Sequence, residues 1–124
     1  MSQSKRILVV EDEPSICQVC LRTLTAEGFE VDIAVNGAIA GKMIGEAEYD
    51  LCLIDLRTPI MNGKELYQYI TDKYPDFKAK VIFTTGDVLD EKLTSMLSGT
   101  GRPYLPKPFT PDELRAIVKE ALEG

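Results

Sequence analysis

The sequence predicts an α/β fold: a doubly wound, five-stranded parallel sheet with helices on both faces. Three observations point there. The runs Ile7-Leu8-Val9-Val10 and Leu51-Cys52-Leu53-Ile54 are short, apolar and free of polar alternation, the pattern of strands buried on both faces. Strand and helix signals alternate five times along the 124 residues, as repeated βα units do. Acids follow both buried runs directly, Glu11-Asp12 after the first and Asp55 after the second. Ligands of such sheets bind beyond the carboxyl ends of the strands.

In chain order, the first strand is expected at Lys5–Val10 and the first helix at Pro14–Glu27, with Cys17, Cys20, Leu21 and Leu24 on one apolar stripe. A strand at Glu30–Ala34 and a helix at Ala38–Ala47 lead into the third strand, Leu51–Ile54. Asn62, three residues before Glu65, opens a helix at Lys64–Tyr74 that buries Leu66, Tyr69 and Ile70. The fourth strand, Lys80–Thr84, precedes a helix at Leu89–Leu97 carrying Leu89, Leu93, Met96 and Leu97. The fifth strand, Pro103–Leu105, is flanked by Pro103 and Pro106, and proline belongs on a sheet edge. Thr110-Pro111-Asp112-Glu113 is a capping box with proline at the first helical position. It starts the last helix, Pro111–Leu122, whose buried face is Leu114, Ile117, Val118 and Leu122. Right-handed crossovers leave few strand orders. Setting the first and third strands side by side gathers Glu11, Asp12 and Asp55 at the switch point, which gives the flavodoxin-like order 2-1-3-4-5.

Residues 1–124 are expected to form a single domain with no repeat, linker or low-complexity tract. A net charge of −6 offers no basic face for direct nucleic-acid binding. No apolar stretch approaches the roughly 20 residues that span a bilayer. The N-terminal apolar run is four residues long and ends in acids, unlike a signal peptide, so the cytoplasm is the expected location. Cys17, Cys20 and Cys52 make no disulfide framework, and Cys17-x-x-Cys20 falls inside a helical stripe. The chain has no histidine, which excludes Ser-His-Asp and Cys-His nucleophile pairs and leaves zinc poorly served. It also means that any phosphohistidine must belong to another protein.

Glu11, Asp12 and Asp55 would place three negative charges in a small volume, where like charges raise one another's pKa unless a cation neutralises them. An all-oxygen site of this kind suits magnesium, which also binds phosphate oxygens. Taken singly, Asp12 ahead of Pro14 and Asp55 in a turn can be read as helix caps; all three at strand ends favour the cation. Thr84 and Thr85 close the fourth strand ahead of Gly86, and one hydroxyl is expected to face the pocket. Lys107, after the fifth strand, is a point-charge partner for a phosphoryl group.

These motifs carry a resemblance. Val-Val-Glu-Asp-Glu-Pro, Leu-Ile-Asp-Leu-Arg-Thr-Pro-Ile-Met-Asn-Gly, Val-Ile-Phe-Thr-Thr-Gly and Tyr-Leu-Pro-Lys-Pro-Phe follow one another between Lys5 and Leu122. Together they closely resemble the receiver domain of two-component response regulators. The resemblance implies that Asp55 accepts a phosphoryl group as an aspartyl phosphate, with Mg2+ held by Glu11, Asp12, Asp55 and the Arg57 backbone carbonyl. It implies that Thr85 and Lys107 bind phosphoryl oxygens, that the Lys107–Pro108 bond is cis, and that Thr85 and Tyr104 form the switch. The donor would be a histidine kinase or a histidine phosphotransfer domain. A downstream protein would read the face of the fourth helix, fifth strand and fifth helix. Such a protein is a cytoplasmic phosphoprotein switch of a phosphorelay and not a turnover enzyme.

Departures from the family pattern are Thr58, where methionine is commoner, the segment Ser98-Gly99-Thr100-Gly101-Arg102, and Pro106 just before Lys107. Arg57 and Asp87 stand two residues beyond Asp55 and Thr85, and an ion pair between them over the site is expected. Two alternatives stand beside the receiver reading. One is a receiver-like interaction module that takes no phosphate. The other is a metal-dependent phosphatase working through an aspartyl phosphate, which needs an acid where Arg57 stands. The chain reads equally as a stand-alone receiver or as a segment of a larger regulator or hybrid kinase.

Overall fold

A computed structural model describes residues 4–123. The strands are β1 (Arg6–Val10), β2 (Glu30–Ala34), β3 (Leu51–Asp55), β4 (Val81–Thr85) and β5 (Tyr104–Pro106). The helices are α1 (Pro14–Ala26), α2 (Gly37–Glu46), α3 (Gly63–Lys73), α4 (Glu91–Thr100) and α5 (Pro111–Glu123), with a 3-10 turn at Phe77–Lys80 before β4. All pairings are parallel and the strand order is β2-β1-β3-β4-β5, as expected.

Residue parity sorts the core into two layers. Leu8, Val10, Cys52, Ile54, Val81 and Phe83 pack with Leu66 and Ile70 of α3. Ile7, Val9, Leu51, Leu53, Ile82 and Leu105 pack with Cys20 and Leu24 of α1 and Leu114 and Val118 of α5. Burial on both faces of β1, β3 and β4 is why these strands lack polar alternation.

Some boundaries differ from the sequence reading. The fourth helix starts at Glu91 rather than Leu89, because the Asp90 side chain accepts from the Leu93 N–H at 2.7 Å and caps it there. Leu89 therefore lies outside the helix and 42% exposed. The same helix runs on to Thr100, where Gly101 at φ 67° ends it. Leu21 is 45% exposed rather than part of the buried stripe of α1, which is Cys20, Thr23 and Leu24. Asp55 and Thr85 are the last residues of their strands, and Pro106 is the last of β5. Pro106 breaks nothing: Phe83 N–H donates to the Pro103 carbonyl and Lys107 N–H to that of Thr85. Odd-numbered residues of this strand thus serve the ladder, and Pro106 turns its missing donor to the open edge. Both predicted capping boxes form, Asn62 with Glu65 and Thr110 with Glu113.

Candidate functional site

The sheet register assembles the site. Val10 pairs with Ile54, so Glu11 emerges beside Asp55. Asp55 pairs with Thr84 and Thr85 pairs with Pro106, so Lys107 emerges one strand further on. Glu11, Asp55 and Lys107 share odd parity with Ile7, Leu53 and Leu105, so alternation places them on the α1/α5 side of the sheet. Thr85 has the parity of Phe83 and Val81, which belong to the opposite layer, and Tyr104 packs against that layer too. The site therefore sits over the strand ends with one foot on each face.

Carboxylate oxygens of Glu11, Asp12 and Asp55 lie within 4.8 Å of one another. Glu11 and Asp55 are buried, at 2% and 5% exposure, while Asp12 faces solvent. Lys107 Nζ spans the two buried acids, 2.6 Å from Glu11 Oε1 and 3.0 Å from Asp55 Oδ2. The remaining oxygens also have partners: Glu13 N–H donates to Glu11 Oε2 and Arg57 N–H to Asp55 Oδ1. Among the described residues no buried side-chain nitrogen or oxygen lacks a hydrogen bond.

Burial, and after it the Asp55 charge, pushes Glu11 up to about 7, against the pull of Lys107 and the Glu13 N–H. Burial alone would lower Lys107, but its bonds to Glu11 and Asp55 outweigh that and hold it above the usual lysine value. The ammonium acts as an internal counter-ion for the two buried acids.

The loop after Asp55 is held by contacts that sequence reading missed. A Cβ at Gly63 would come 2.7 Å from Leu56 Cα and 2.9 Å from the Asp55 carbonyl oxygen; one at Gly37 would lie 2.0 Å from the Met61 carbonyl oxygen. Only glycine lets α2 and α3 approach this loop so closely. Thr58 is buried, and its hydroxyl donates to the Met61 carbonyl at 2.9 Å, so this departure adds a hydrogen bond that pins the loop. Thr85 and Thr84 are both buried. Thr85 Oγ1 accepts from the Asp87 N–H at 3.1 Å, and Tyr104 is half-buried. Arg57 and Asp87 form the expected ion pair at 2.9 Å. A cavity of about 340 Å³ opens between Asp12, Asp55, Arg57, Gly86, Asp87 and Lys107. The Lys107–Pro108 peptide bond is cis.

The cysteines take no part. Cys17 donates to the Glu11 carbonyl, and burial with the nearby acid charges raises its pKa; burial takes Cys20 up to about 12. Both shifts favour the protonated thiol over the reactive thiolate.

The profile of the response regulator receiver domain family matches residues 7–119. The chain belongs to that family. As a receiver domain it is a module of two-component signalling. It is similar to the transcriptional regulatory protein CutR of Streptomyces coelicolor, 32% identical over 92% of the chain and 52% of CutR. A receiver domain protein from Methanospirillum hungatei superposes with TM-score 0.87 at 30% identity, covering 98% of this chain and 95% of that one. The receiver domain of sensor histidine kinase PA1611 from Pseudomonas aeruginosa superposes with TM-score 0.86 at 27% identity, covering 98% and 99%. In that crystal structure a magnesium ion is coordinated in the active site cleft. The chain spans between 12% and 57% of the length of the curated relatives it matches. No helix among the described residues is long and apolar enough to cross a membrane.

Proposed function

We propose that this receiver takes a phosphoryl group from a partner's phosphohistidine onto Asp55 and thereby switches a protein-binding surface. The observation that carries the reading is the convergence of Glu11, Asp12 and Lys107 on the buried Asp55 carboxylate. Three carboxylates make a hard, all-oxygen donor set that fits Mg2+, with Glu11, Asp12, Asp55 and the Arg57 carbonyl as ligands. Bound there, magnesium would neutralise charge on the phosphoryl oxygens in flight.

The residues of the chain supply the rest. An Asp55 carboxylate oxygen attacks phosphorus in line; the P–N bond breaks and its electron pair leaves on the donor imidazole. Fixed at the end of β3, Asp55 needs little reorganisation to reach that geometry. Lys107 leaves its bridging position and pairs with a phosphoryl oxygen. Thr85 turns its hydroxyl to another, giving up the Asp87 amide. Tyr104, on the same face, moves into the space vacated and alters the α4-β5-α5 surface that a downstream protein reads. Turnover is confined to this self-transfer and a slow self-dephosphorylation, so the domain is a switch and not an enzyme. Donors are a histidine kinase or a histidine phosphotransfer domain, the output is a protein contact, and the cytoplasm is where they meet. We also read residues 1–124 as a single receiver unit.

The test is direct. Incubation with Mg2+ and acetyl phosphate is expected to add one phosphate by intact-mass measurement, and none in Asp55→Asn. Retention of the modification in that variant, or its absence from the unsubstituted protein, overturns the assignment.

A further inference from the structure

One ion pair at the site has no part in the chemistry above. Arg57 Nη1 donates to Asp87 Oδ1 at 2.9 Å, tying the loop after β3 to the loop after β4. Each partner stands two residues past a site residue and is anchored to it by its own backbone. The Arg57 N–H bonds Asp55 Oδ1 and the Asp87 N–H bonds Thr85 Oγ1, both at 3.1 Å. Both line the cavity that holds Asp12, Asp55 and Lys107. The Arg57 side chain is 71% exposed, so the pair is weak and the guanidinium is free to swing.

We propose that the Arg57 side chain is a second phosphoryl-binding cation, held by Asp87 in the unmodified protein and transferred to phosphoryl oxygens once Asp55 is modified. The inference rests on Asp55 as the acceptor, and it gives a role to a side chain whose backbone alone had one. A phosphoryl group brings about −1.5 to −2 charges and three acceptor oxygens into this cavity. It outbids a single carboxylate for the guanidinium. Lys107 offers one compact charge from below, whereas the planar fork of arginine suits two oxygens at once.

The same event strains the Asp87 anchor: the aspartyl phosphate keeps one carbonyl oxygen for the Arg57 amide, whereas Thr85 moving toward the phosphoryl draws its hydroxyl away from the Asp87 amide. Released Asp87 has other cations at hand, because a neighbouring cavity of about 430 Å³ is lined by Asp87 together with Lys64 and Lys92. That cavity also touches Val88, Leu93 and Met96, so the exchange reaches the start of α4.

The experiment is a double-mutant cycle on affinity for beryllofluoride, a phosphoryl mimic, with Mg2+ present. It compares the unsubstituted protein with Arg57→Ala, Asp87→Ala and the double variant, with Arg57→Lys alongside. Arg57→Ala is expected to weaken binding by about tenfold or more, the usual cost of hydrogen bonds to a charged group. Asp87→Ala is expected to strengthen it several-fold. Deleting a carboxylate near an anion helps on its own, so the deciding reading is the coupling: the Asp87→Ala gain shrinks when Arg57 is already alanine. Arg57→Lys restores charge without the fork and recovers part of the loss. An equal Asp87→Ala gain in both backgrounds, or unchanged binding in Arg57→Ala, sinks the role of Arg57. If Asp55→Asn still binds beryllofluoride like the unsubstituted protein, the acceptor assignment fails and takes this inference with it.

Discussion

Replacing Lys107 by methionine keeps the side chain's length and removes the charge that Glu11 and Asp55 share. At 2.6 and 3.0 Å the two contacts are worth roughly 6.4 and 5.5 kcal/mol in Coulomb terms at an effective dielectric of about 20, before desolvation is subtracted. Removing one partner of a buried ion pair typically costs about 3–5 kcal/mol, because the survivors stay buried and uncompensated. The site is open to water at Asp12 and through the cavity, so the low end applies: about 3 kcal/mol in EDTA at pH 8. Glu11 sets the direction with pH. Its folded pKa of about 7 lies above the ordinary 4.5, so its contribution to stability is full below 4.5 and is lost as pH rises through 7. The penalty in Lys107→Met is therefore smaller at pH 6, where Glu11 is largely protonated, than at pH 8.

The same substitution exposes what magnesium does. Lys107 competes with a cation for two of the three proposed ligands, so Lys107→Met is expected to bind Mg2+ more tightly in the absence of phosphodonor. Millimolar Mg2+ then stabilises the variant more than the unsubstituted protein, following the logarithm of ligand concentration over the dissociation constant. Urea unfolding followed by far-ultraviolet circular dichroism measures both effects, since the chain has no tryptophan. A loss under about 1 kcal/mol in EDTA, within the range of an ordinary surface ion pair, would refute the counter-ion argument. Equal magnesium increments in the two proteins would refute the competition.

Other outcomes follow from the same geometry. Glu11→Gln is expected to raise stability at pH 8 in EDTA and to flatten its pH dependence between 4.5 and 7, while weakening Mg2+ binding; a steeper dependence contradicts the assigned direction. Calorimetry on the unsubstituted protein should show Mg2+ affinity rising by up to about tenfold per pH unit below 7 and levelling above, because binding expels the Glu11 proton; a flat profile from 5.5 to 8 excludes Glu11 as a ligand. Gly63→Ala puts a methyl 2.7 Å from Leu56 Cα, so the loop must shift, at a cost of about 1–3 kcal/mol and with slower modification by acetyl phosphate. Arg57→Ala and Asp87→Ala should each change the decay rate of the aspartyl phosphate, followed by mass measurement; unchanged decay in both means that the ion pair has no bearing on hydrolysis.

What the sequence made legible was whatever burial alone decides. Runs such as Ile7–Val10 and Leu51–Ile54 have no polar face, so they must lie inside a covered parallel sheet, and prolines at 103 and 106 mark an edge. With the order of strands fixed, Glu11 and Asp55 had to be neighbours. Side-chain aim was less legible, because it depends on register. Nothing in Thr84-Thr85 says which threonine shares the layer of Tyr104; that follows only from Phe83 pairing with Tyr104, which gives Thr85 the parity of Phe83. Helix ends were missed where a single side chain decides them, as Asp90 does by capping Leu93 and leaving Leu89 outside.

Gly63 was hidden for a related reason: a glycine that opens a helix looks ordinary until another segment's backbone is found against it. The Lys107 bridge belongs to the same class. The sequence offers a lysine for a phosphoryl group, but only the register of three strands shows that it is already engaged by two buried acids. On the proposed reading, phosphorylation would exchange the partners of Lys107 rather than fill a vacant site. The free energy of Lys107 with Glu11 and Asp55 would then oppose the proposed modified state as much as it stabilises the unmodified one, and a bound cation that offsets it would shift the balance.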